Sequence, residues 1–216
     1  IPSNITIGAF RAPRSNFNAA AEQSFLDELA EAMGKDPIDF RLELLQRAKE
    51  KPVGKNNEYD ADRYAGVLKL VKEKSGWNNP ENKKYSRGVS AYFCHASYVA
   101  HVIDIVERNG QPYIERVFSA ADCGVVVNPD AAINMIQGAV VDGIGNVLYG
   151  ALTHKDGVAE QKNFYNYLII RMPEAPKKID VYFVQNDIDP TGLGEPPFAP
   201  VFGAVANALF KSTGKR

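Results

Sequence analysis

Apolar residues recur at helical spacing through the first third of the chain and predict its first elements. The first helix is predicted from five positions at i, i+3 and i+4 spacing: Phe25, Leu26, Leu29, Ala30 and Met33. Asn16 or Asn18 is its expected N-cap, because a side-chain oxygen there can accept from the free N–H groups of the first turn. Gly34 is placed to end the helix in the left-handed conformation.

Two more helices are predicted after this one. Asp36 is a suitable N-cap for the second helix, and Pro37 fits its first helical position. Its buried stripe is expected to be Phe40, Leu44 and Leu45. A polar stretch at 49–58 predicts a loop, and a third helix follows at about 60–75. The apolar face of that helix consists of Tyr64, Val67, Leu68 and Val71.

The pattern becomes strand-like after the third helix. Residues 87–106 are strand-like, and a nearly continuous apolar run within them consists of Val99, Val102, Ile103, Ile105 and Val106. Asn109-Gly110 follows, which is a strong signal for a two-residue hairpin turn, and residues 113–118 supply the return strand. We therefore predict an antiparallel pair here and a further strand at 180–184.

A helix rich in glycine is predicted at about 130–150, with Asn128 as its N-cap. Four glycines weaken it relative to alanine: Gly138, Gly143, Gly145 and Gly150. Glycine so placed usually permits close backbone approach, either to another element or to a bound group. A last helix is predicted at 201–212 and ends at Gly214.

These elements predict an α+β fold with two parts. Helices occupy 15–76, and an antiparallel hairpin and sheet with the glycine-rich helix packed on it occupy 85–216. The chain opens with Ile1-Pro2, without an initiator methionine or a signal-peptide pattern, and closes soon after its last helical pattern. We therefore expect a piece of a larger polypeptide whose compartment, cytoplasmic or periplasmic, cannot be read from it.

Composition narrows the classes of partner. The chain has 216 residues, with 25 Lys and Arg against 26 Asp and Glu, so its net charge is −1. This balance argues against nucleic acid or an anionic membrane as the main partner, since both attract concentrated positive charge. No apolar run approaches roughly 18 residues, so no membrane span is expected. Cys94 and Cys123 are too few for a disulfide framework or a four-thiolate metal site.

Glu195 is the first candidate for chemistry. Gly194 precedes it and Pro196-Pro197 follow, so it can lie neither in a helix interior nor in a central strand. A carboxylate on such a stiff loop is suited to act as a positioned general base. The alternative is a turn glutamate in water, which the spacing alone favours.

Two further residues are candidates for holding a ligand. Arg11 lies between a short apolar stretch and a helix start, where its planar donors could clamp a phosphate or a carboxylate. The alternative is a surface arginine paired with the first helix. Gln137 precedes Gly138 on the glycine-rich helix, where its amide could bind a ligand lying against the glycines. The alternative is a satisfied buried amide or a solvated side chain.

The histidines, His95, His101 and His154, show no metal-ligand spacing. Cys94 and His95 are neighbours in a predicted strand, where their side chains point to opposite faces, so a thiolate–imidazole pair is not expected. The segment Gly143-Ile144-Gly145 lies inside a helix and lacks the third glycine of a dinucleotide-binding loop. We predict structural roles for these groups and no metal ligand in the chain.

Several motifs together resemble one family. They are Ala9-Phe10-Arg11-Ala12-Pro13, Glu22 to Ala30, Gly34-Lys35-Asp36-Pro37 with Phe40-Arg41, Asp122-Cys123-Gly124 with Asn128-Pro129, Gln137-Gly138, Asn163-Phe164 with Tyr167, and Gly192-Leu193-Gly194-Glu195-Pro196. In this order they resemble the molybdenum hydroxylases, the xanthine dehydrogenase and aldehyde oxidase group, across almost the whole chain. The nearest likeness is to the C-terminal portion of the molybdopterin-binding large subunit of the isoquinoline oxidoreductase type.

The resemblance implies part of a molybdenum cofactor-binding domain of the xanthine oxidase type. The implied cofactor is molybdenum on molybdopterin, often in the cytosine dinucleotide form, with [2Fe-2S] clusters on a partner subunit or domain. The implied reaction hydroxylates an aldehyde or an N-heteroaromatic substrate with oxygen from water. The glutamate of the Gly-x-Gly-Glu motif is the base in that family, which assigns this role to Glu195.

The resemblance also implies cofactor contacts. Ala9, Phe10 and Arg11 match the loop that lies against the pterin. Gln137 matches a glutamine that hydrogen-bonds the cofactor, and Gly194 belongs to the motif of the base. Because the family subunit is several times longer, the remainder of that subunit is an expected partner, and the isolated chain is expected to be inactive.

One departure from the family pattern stands next to the cofactor loop. Arg14 takes a position where many relatives have glycine, which adds bulk and charge there.

A non-catalytic scaffold or assembly domain of the same fold is the competing hypothesis. It predicts that Arg11, Gln137 and Glu195 do not converge and that Glu195 faces bulk water. The enzyme hypothesis predicts that these three residues, which are distant in the sequence, line one concave surface.

Overall fold

Within residues 8–53 and 59–215, which the computed structural model describes, a four-stranded sheet lies between two layers of helices. The helices are α1 (Ser15–Ala32), α2 (Pro37–Glu50), α3 (Ala61–Lys74), α4 (Pro129–Tyr149) and α5 (Ala199–Thr213). The strands are β1 (Ser86–Cys94), β2 (Ser97–Arg108), β3 (Gln111–Asp122), β4 (His154–Lys155), β5 (Val158–Ala159) and β6 (Lys178–Phe183). Short 3₁₀ helices occupy Pro80–Lys84 and Met172–Glu174. The predicted α+β class is confirmed.

The main sheet has the strand order β1-β2-β3-β6, while β4 and β5 pair only with each other. Strands β1, β2 and β3 are antiparallel, and β6 runs parallel to β3. The turn between β2 and β3 is Asn109-Gly110, with φ of 52° and 73°, and two positive values are what a tight hairpin turn requires. The predicted antiparallel pair is confirmed. α4 lies in the connection from β3 to β6, which suits parallel pairing because such strands need a long crossover.

Each face of the sheet carries its own core. One face packs against α4 and α5, with Val99, Ile103, Val117, Ile136, Val140, Ile144, Val201 and Val205 among its buried residues. The other face packs against α2 and α3, with Ile38, Val67, Leu68, Val71, Val89, Val102 and Phe118. α5 lies close to β1 because Gly88 has no side chain: a Cβ there would stand 2.2 Å from the carbonyl oxygen of Ala204.

Four predicted helix ends are confirmed. Asp36 and Asn128 accept hydrogen bonds from N–H groups in the first turns of α2 and α4, at 2.9 to 3.1 Å. Gly34 and Gly214 follow α1 and α5 with φ of 65° and 71°, in the left-handed region. Residues 54–58 of the predicted loop, and the opening Ile1-Pro2, lie outside the described residues.

The predicted start of α1 is wrong. The helix begins at Ser15, so Asn16 and Asn18 lie inside it and neither caps it. The Asn16 side chain instead donates to the carbonyl oxygen of Arg11 at 2.8 Å, which ties the helix to the loop before it.

Of the apolar positions that predict α1, only Ala30 is buried. The buried positions of the helix are Asn16, Ala19, Gln23, Asp27 and Ala30. Phe25 is 61% exposed and Met33 is 53% exposed. The cause is a polar connection: Gln23 Oε1 accepts from Arg41 Nε at 2.9 Å and from Ala91 N at 3.2 Å, which joins α1 to α2 and β1. Hydrophobic spacing cannot identify a face that is selected by buried hydrogen bonds.

The predicted strand-like segment at 87–106 contains a reversal. It turns at His95-Ala96 and forms the antiparallel strands β1 and β2. Both turn residues have positive φ, 50° and 60°, although neither is glycine or asparagine. Because those two residue types are the usual markers of such a turn, the sequence pattern concealed it.

α4 meets the length and hydropathy test for a membrane-crossing helix, with a mean hydropathy of 1.2 over 18 residues. Glycine and polar residues interrupt its apolar positions, so it contains no unbroken apolar run of that length. Core helices share this length and hydropathy, and α4 packs on the sheet through Ile136, Val140 and Ile144.

Two glycines of α4 are explained by packing. A Cβ at Gly143 would stand 2.7 Å from Cβ of Val201 on α5, and one at Gly145 would stand 2.8 Å from Cγ2 of Ile170. A Cβ at Gly138, by contrast, would meet no atom within 4 Å. Gly143 and Gly145 therefore allow α4 to approach neighbouring segments closely.

Candidate active site

A loop at 191–197, which carries Glu195, is fastened to the β1–β2 hairpin. Ser97, the first residue of β2, donates from Oγ to Gly192 O at 2.6 Å. His101, further along β2, donates from Nε2 to Pro197 O at 2.8 Å. These bonds hold the backbone on both sides of Glu195, and the two prolines restrict it further. The structure thus places Glu195 on a stiff loop.

Both oxygens of the Glu195 carboxylate have partners. Oε1 accepts from Ala12 N at 3.1 Å, and Oε2 lies 2.6 Å from His95 Nε2. An ionised carboxylate oxygen only accepts, so Nε2 is the donor in the second contact. The Glu195 side chain is 37% exposed, so it is neither sealed in the core nor free in bulk water. Each oxygen retains capacity to accept from a bound group.

Arg11 binds the backbone of the same loop. Its Nε donates to Gly194 O at 2.9 Å, Nη2 donates to the same oxygen, and Nη1 pairs with Asp142 Oδ2 of α4 at 2.9 Å. The guanidinium lies 5.3 Å from the ring centre of Phe198. Phe10 packs edge-on against the same ring, with 5.6 Å between the centres, and remains 49% exposed. One aromatic ring therefore supports both residues of the loop.

Four of the six predicted site residues lie together: Phe10, Arg11, Gly194 and Glu195. Ala9 precedes Phe10 in the chain and is exposed. Gln137 does not join them. Its Nε2 donates to Ile179 O on β6 at 3.0 Å, and no hydrogen bond within the described ranges links it to Arg11 or Glu195. Asp142, which pairs with Arg11, lies about 140° round the helix from Gln137. The bonded amide that the sequence left open is observed. Arg11 and Glu195 lie together without Gln137, so the convergence of all three residues that the enzyme hypothesis predicts is not observed. A cofactor contact of Gln137 stays a prediction.

His101 is fully buried behind the loop, and its two ring nitrogens have different partners. Nε2 donates to the Pro197 carbonyl, so Nδ1 is the acceptor and bonds Ser119 Oγ at 2.8 Å. Burial lowers the pKa of His101 to about 4, because desolvation disfavours the charged ring more than the Pro197 carbonyl favours it. The ring is therefore neutral at pH 7.

His95 is the site residue that sequence analysis missed. It was given a structural role because it was placed inside a strand. The turn at His95-Ala96 instead directs its imidazole toward Glu195. The available signal was the segment Cys94 to Ser97, whose four residues interrupt the run of aromatic and β-branched residues with small or polar ones.

The two thiols are poor nucleophiles. Burial raises the pKa of Cys94, against a smaller opposing effect of its hydrogen bond with Ser15, and burial also raises the pKa of Cys123. Both are therefore protonated at neutral pH. Across residues 8–53 and 59–215, no three His, Cys, Asp or Glu side chains are grouped so that they could hold a metal ion.

The surface beside Glu195 leaves room for a bound group. A Cβ built on Gly8, Gly192 or Gly194 would meet no atom within 4 Å, so the backbone there is accessible. The exposed ring of Phe10 and the charge of Arg11 border the same surface. The exposed ring and these open edges fit a flat ligand.

A cavity of about 380 Å³ opens elsewhere, between α1, α2, α3 and β1, and Leu26, Arg41, Leu45, Tyr64 and Tyr92 are among the residues that line it. Arg11, Gln137 and Glu195 are not among its lining residues. It is therefore a feature separate from the Glu195 site.

A family model described as the molybdopterin cofactor-binding domain matches residues 18–176, which is most of the chain. This match confirms the resemblance that the motifs indicated.

Two curated relatives illustrate the likeness in sequence. The chain is 28% identical to a membrane-bound aldehyde dehydrogenase (pyrroloquinoline-quinone) of Gluconacetobacter polyoxogenes, over 97% of this chain and 28% of the relative. It is 27% identical to the isoquinoline 1-oxidoreductase subunit beta of Brevundimonas diminuta, over 90% of this chain and 24% of the relative. The chain thus spans about a quarter of the length of these two relatives.

A solved structure shares the fold. The aldehyde oxidoreductase from Desulfovibrio gigas matches with a TM-score of 0.68 at 14% identity, over 95% of this chain and 40% of that chain. At this identity the likeness shows the common architecture alone.

Proposed function

The chain belongs to the molybdopterin cofactor-binding domain family, and on that premise we propose that it supplies the general base and part of the cofactor cradle of a molybdenum hydroxylase. The observation that carries this proposal is the Glu195 carboxylate, which Ala12 and His95 hold beside an accessible surface. The proposed substrates are small aldehydes or N-heteroaromatic compounds. The names of the two relatives, an aldehyde dehydrogenase and an isoquinoline oxidoreductase, support these classes.

The residues near Glu195 fit the chemistry of the cofactor. Phe10 offers an exposed ring against which a planar pterin can lie, and Ala9 continues that surface. Arg11 supplies positive charge, and Gly194 leaves its edge of the loop open. Gln137 would join this set only by exchanging its bond to the β6 backbone for one to the cofactor. When bound, the cofactor supplies the acceptor for two electrons from the substrate.

Glu195 serves as the base in this proposal. One carboxylate oxygen accepts a proton from the oxygen nucleophile, which derives from water, as that oxygen forms its bond to the electron-poor substrate carbon. Ala12 N keeps the carboxylate oriented during this transfer. The net reaction adds oxygen from water to the substrate and releases two electrons and two protons. The electrons leave through [2Fe-2S] clusters of a partner subunit.

The chain, residues 1–216, would act as the C-terminal portion of a larger molybdopterin-binding subunit. The quarter-length match to the relatives supports this arrangement. The remainder of the subunit would complete the substrate pocket and the cradle for a cofactor in the cytosine dinucleotide form. We therefore expect the chain alone to be inactive, and substrate turnover by the isolated, cofactor-reconstituted chain would contradict this.

The substitution Glu195→Gln in the cofactor-loaded enzyme that contains this chain tests the role of the base. The amide keeps the size of the side chain but cannot take up the proton, so we expect kcat to fall about 10²–10⁴-fold. The molybdenum content per enzyme should be unchanged. Glu160→Gln, in an exposed loop where the carboxylate accepts from Thr153, is the matched control and should retain kcat. A Glu195→Gln enzyme within about tenfold of the wild-type kcat would exclude Glu195 as the base.

Analysis of metal and cofactor in the same preparation tests the rest of the proposal. Molybdenum and pterin in proportion to the enzyme are the expected result. A quinone in place of molybdenum and pterin would contradict the proposal and would agree with the cofactor in the name of the Gluconacetobacter relative. Absence of both, together with an unaffected Glu195→Gln variant, would favour the scaffold hypothesis.

A further inference from the structure

His95 occupies a turn whose backbone conformation favours asparagine and glycine. The turn between β1 and β2 has φ of 50° at His95 and 60° at Ala96. A positive φ is unfavourable for residues that carry a Cβ, and asparagine and glycine are preferred at such positions. This turn therefore has His-Ala where two-residue hairpins most often have Asn-Gly, and histidine is among the side chains that tolerate a positive φ.

The imidazole holds the second oxygen of Glu195. Nε2 lies 2.6 Å from Oε2, while Oε1 accepts from Ala12 N at 3.1 Å. The two donors come from different segments, the hairpin turn and the loop before α1. Together they fix both the position and the plane of the carboxylate. Without the imidazole, only the hydrogen bond from Ala12 N would hold the carboxylate, and the carboxylate could rotate about that hydrogen bond.

We propose that His95 is a positioning residue for the base: it sets the plane of the Glu195 carboxylate and touches neither substrate nor cofactor. This inference rests on the proposed function, because positioning matters only if Glu195 is the base. The rival explanation is a structural turn residue, for which the backbone conformation matters and the imidazole does not.

Two substitutions separate the imidazole from the turn. Asparagine suits a positive φ better than histidine does, but its side chain is too short to place a donor where Nε2 lies. Glutamine suits the turn no better than histidine, but its amide nitrogen can reach the Nε2 position. A positioning role predicts that His95→Asn impairs the enzyme and that His95→Gln preserves it. A structural role predicts the reverse order.

In the cofactor-loaded enzyme we expect His95→Asn to lower kcat about 10- to 100-fold, with KM and molybdenum content unchanged, since lost support for a catalytic group typically has this effect. His95→Gln should retain most of kcat. In a Glu195→Gln background, His95→Asn should cause no further loss, because a positioning residue acts through the carboxylate.

The outcomes distinguish this inference from the proposed function. If Glu195→Gln leaves kcat intact, the proposed function fails. If Glu195→Gln abolishes turnover while His95→Asn keeps the wild-type kcat, the base remains and the positioning role of His95 is overturned.

A second measurement does not depend on turnover. The chain has three histidines, so the ¹⁵N resonances of their imidazoles can be assigned in the full 216-residue chain. We expect the His95 Nε2 resonance to be that of a hydrogen-bonded N–H and to shift in Glu195→Gln. His154, in the separate β4–β5 hairpin, should not shift and is the internal reference. An unchanged His95 resonance in Glu195→Gln would overturn the contact and with it the inference.

Discussion

Two carboxylates at opposite ends of the β1–β2 hairpin have very different surroundings. At the arginine end, formed by Arg87, Asp104 and Arg116, the carboxylate is fully buried. Asp104 Oδ1 accepts from Arg87 Nε at 2.7 Å, and Oδ2 accepts from Arg116 Nε at 2.6 Å. Arg87 also donates to the Ser75 carbonyl at 2.9 Å, so the cluster is tied to the end of α3. Each oxygen of Asp104 therefore faces a permanent positive charge.

At the loop end, formed by His95, His101 and residues 191–197, the carboxylate is partly solvated. Glu195 accepts one backbone N–H and one imidazole N–H, and no arginine or lysine within the described residues pairs with it. Arg11, the residue before Ala12, bonds the Gly194 carbonyl and Asp142 instead. The loop end thus holds a carboxylate in place without neutralising it with a fixed cation.

This difference separates a structural carboxylate from a chemical one. Asp104 is fully buried and balances two guanidinium groups, so its charge serves the packing of the fold. Glu195 balances no arginine among the described residues, and its carboxylate lies beside an accessible surface. The fold thus assigns these two acidic residues to opposite tasks.

The largest expected effect is on stability at the arginine end. We expect Asp104→Asn to lower the free energy of unfolding by about 3–5 kcal/mol, because it leaves two arginines unpaired. The Arg87 side chain is 9% exposed and that of Arg116 is 24% exposed, so solvent compensates little. Glu195→Gln should change the same quantity by less than about 1 kcal/mol, since that pair is partly solvated. Urea unfolding curves of the three proteins measure both changes.

Glu43→Gln is the control for loss of charge alone, because Glu43 pairs with Lys35 on the exposed surface. It should cost about 0–1 kcal/mol. Equal losses for Asp104→Asn and Glu195→Gln would show that the loop end depends on its carboxylate for folding as much as the arginine end does, and the comparison would not hold.

The second effect is a pH dependence located at the loop end. Burial lowers the pKa of His101 to about 4 from an ordinary 6.5, so the unfolded chain takes up a proton at a higher pH than the folded chain does. Stability is therefore fully present above about pH 6.5 and falls as the pH drops toward 4. Between pH 7.5 and pH 5 we expect His101 to account for a loss of about 2 kcal/mol in the free energy of unfolding.

His101→Gln isolates this contribution, because glutamine does not titrate. The variant should lose less stability than the wild type between pH 7.5 and pH 5, whatever its stability at pH 7.5. Direct titration by NMR gives the same answer in the unmodified chain: the His101 ring should remain neutral at pH 5. A His101 ring that becomes charged near pH 6.5 would contradict the prediction.

The fold could be predicted from the sequence where neighbouring residues determine it. The caps at Asp36 and Asn128 and the turn at Asn109-Gly110 each depend on residues within one turn of chain, and all three are observed. The buried face of α1 depends instead on Gln23 meeting Arg41 of α2. That contact exists only in the folded chain, so apolar spacing selected the wrong face.

The same division applies to the candidate site. The glycine before Glu195 and the prolines after it are enough to predict from the sequence that Glu195 lies on a stiff loop. His95 lies in a turn without a turn-forming residue type, and its partner is far along the chain, so no local pattern could pair the two. Gln137 is the opposite case. The resemblance implies a cofactor contact for it, but in the structure its amide donates a hydrogen bond to Ile179 O.

The third effect concerns two glycines of α4, one packed against another helix and one with open space beside it. Gly143 faces Val201 of α5, where a Cβ would stand 2.7 Å from the Val201 Cβ. Neither atom belongs to a flexible chain end, so the helices must move apart. We expect Gly143→Ala to lower the free energy of unfolding by about 1–3 kcal/mol, which thermal unfolding followed by circular dichroism measures. A more stable variant would show that α4 and α5 can separate at no cost.

The smallest effect is expected at Gly138, five residues earlier on the same helix, where an added Cβ would meet no atom within 4 Å. Alanine there gains helix propensity and fills no occupied space, so we expect Gly138→Ala to raise the free energy of unfolding by about 0.5–1 kcal/mol. If Gly138→Ala raises the free energy of unfolding and Gly143→Ala lowers it, the atoms around each glycine, and not its place in the helix, determine the effect of the substitution. The same variant tests the resemblance at this segment. A molybdenum content that falls while stability rises would place Gly138 against the cofactor, and an unchanged content would remove the Gln137-Gly138 segment from the cradle and leave cofactor contact to the loop end.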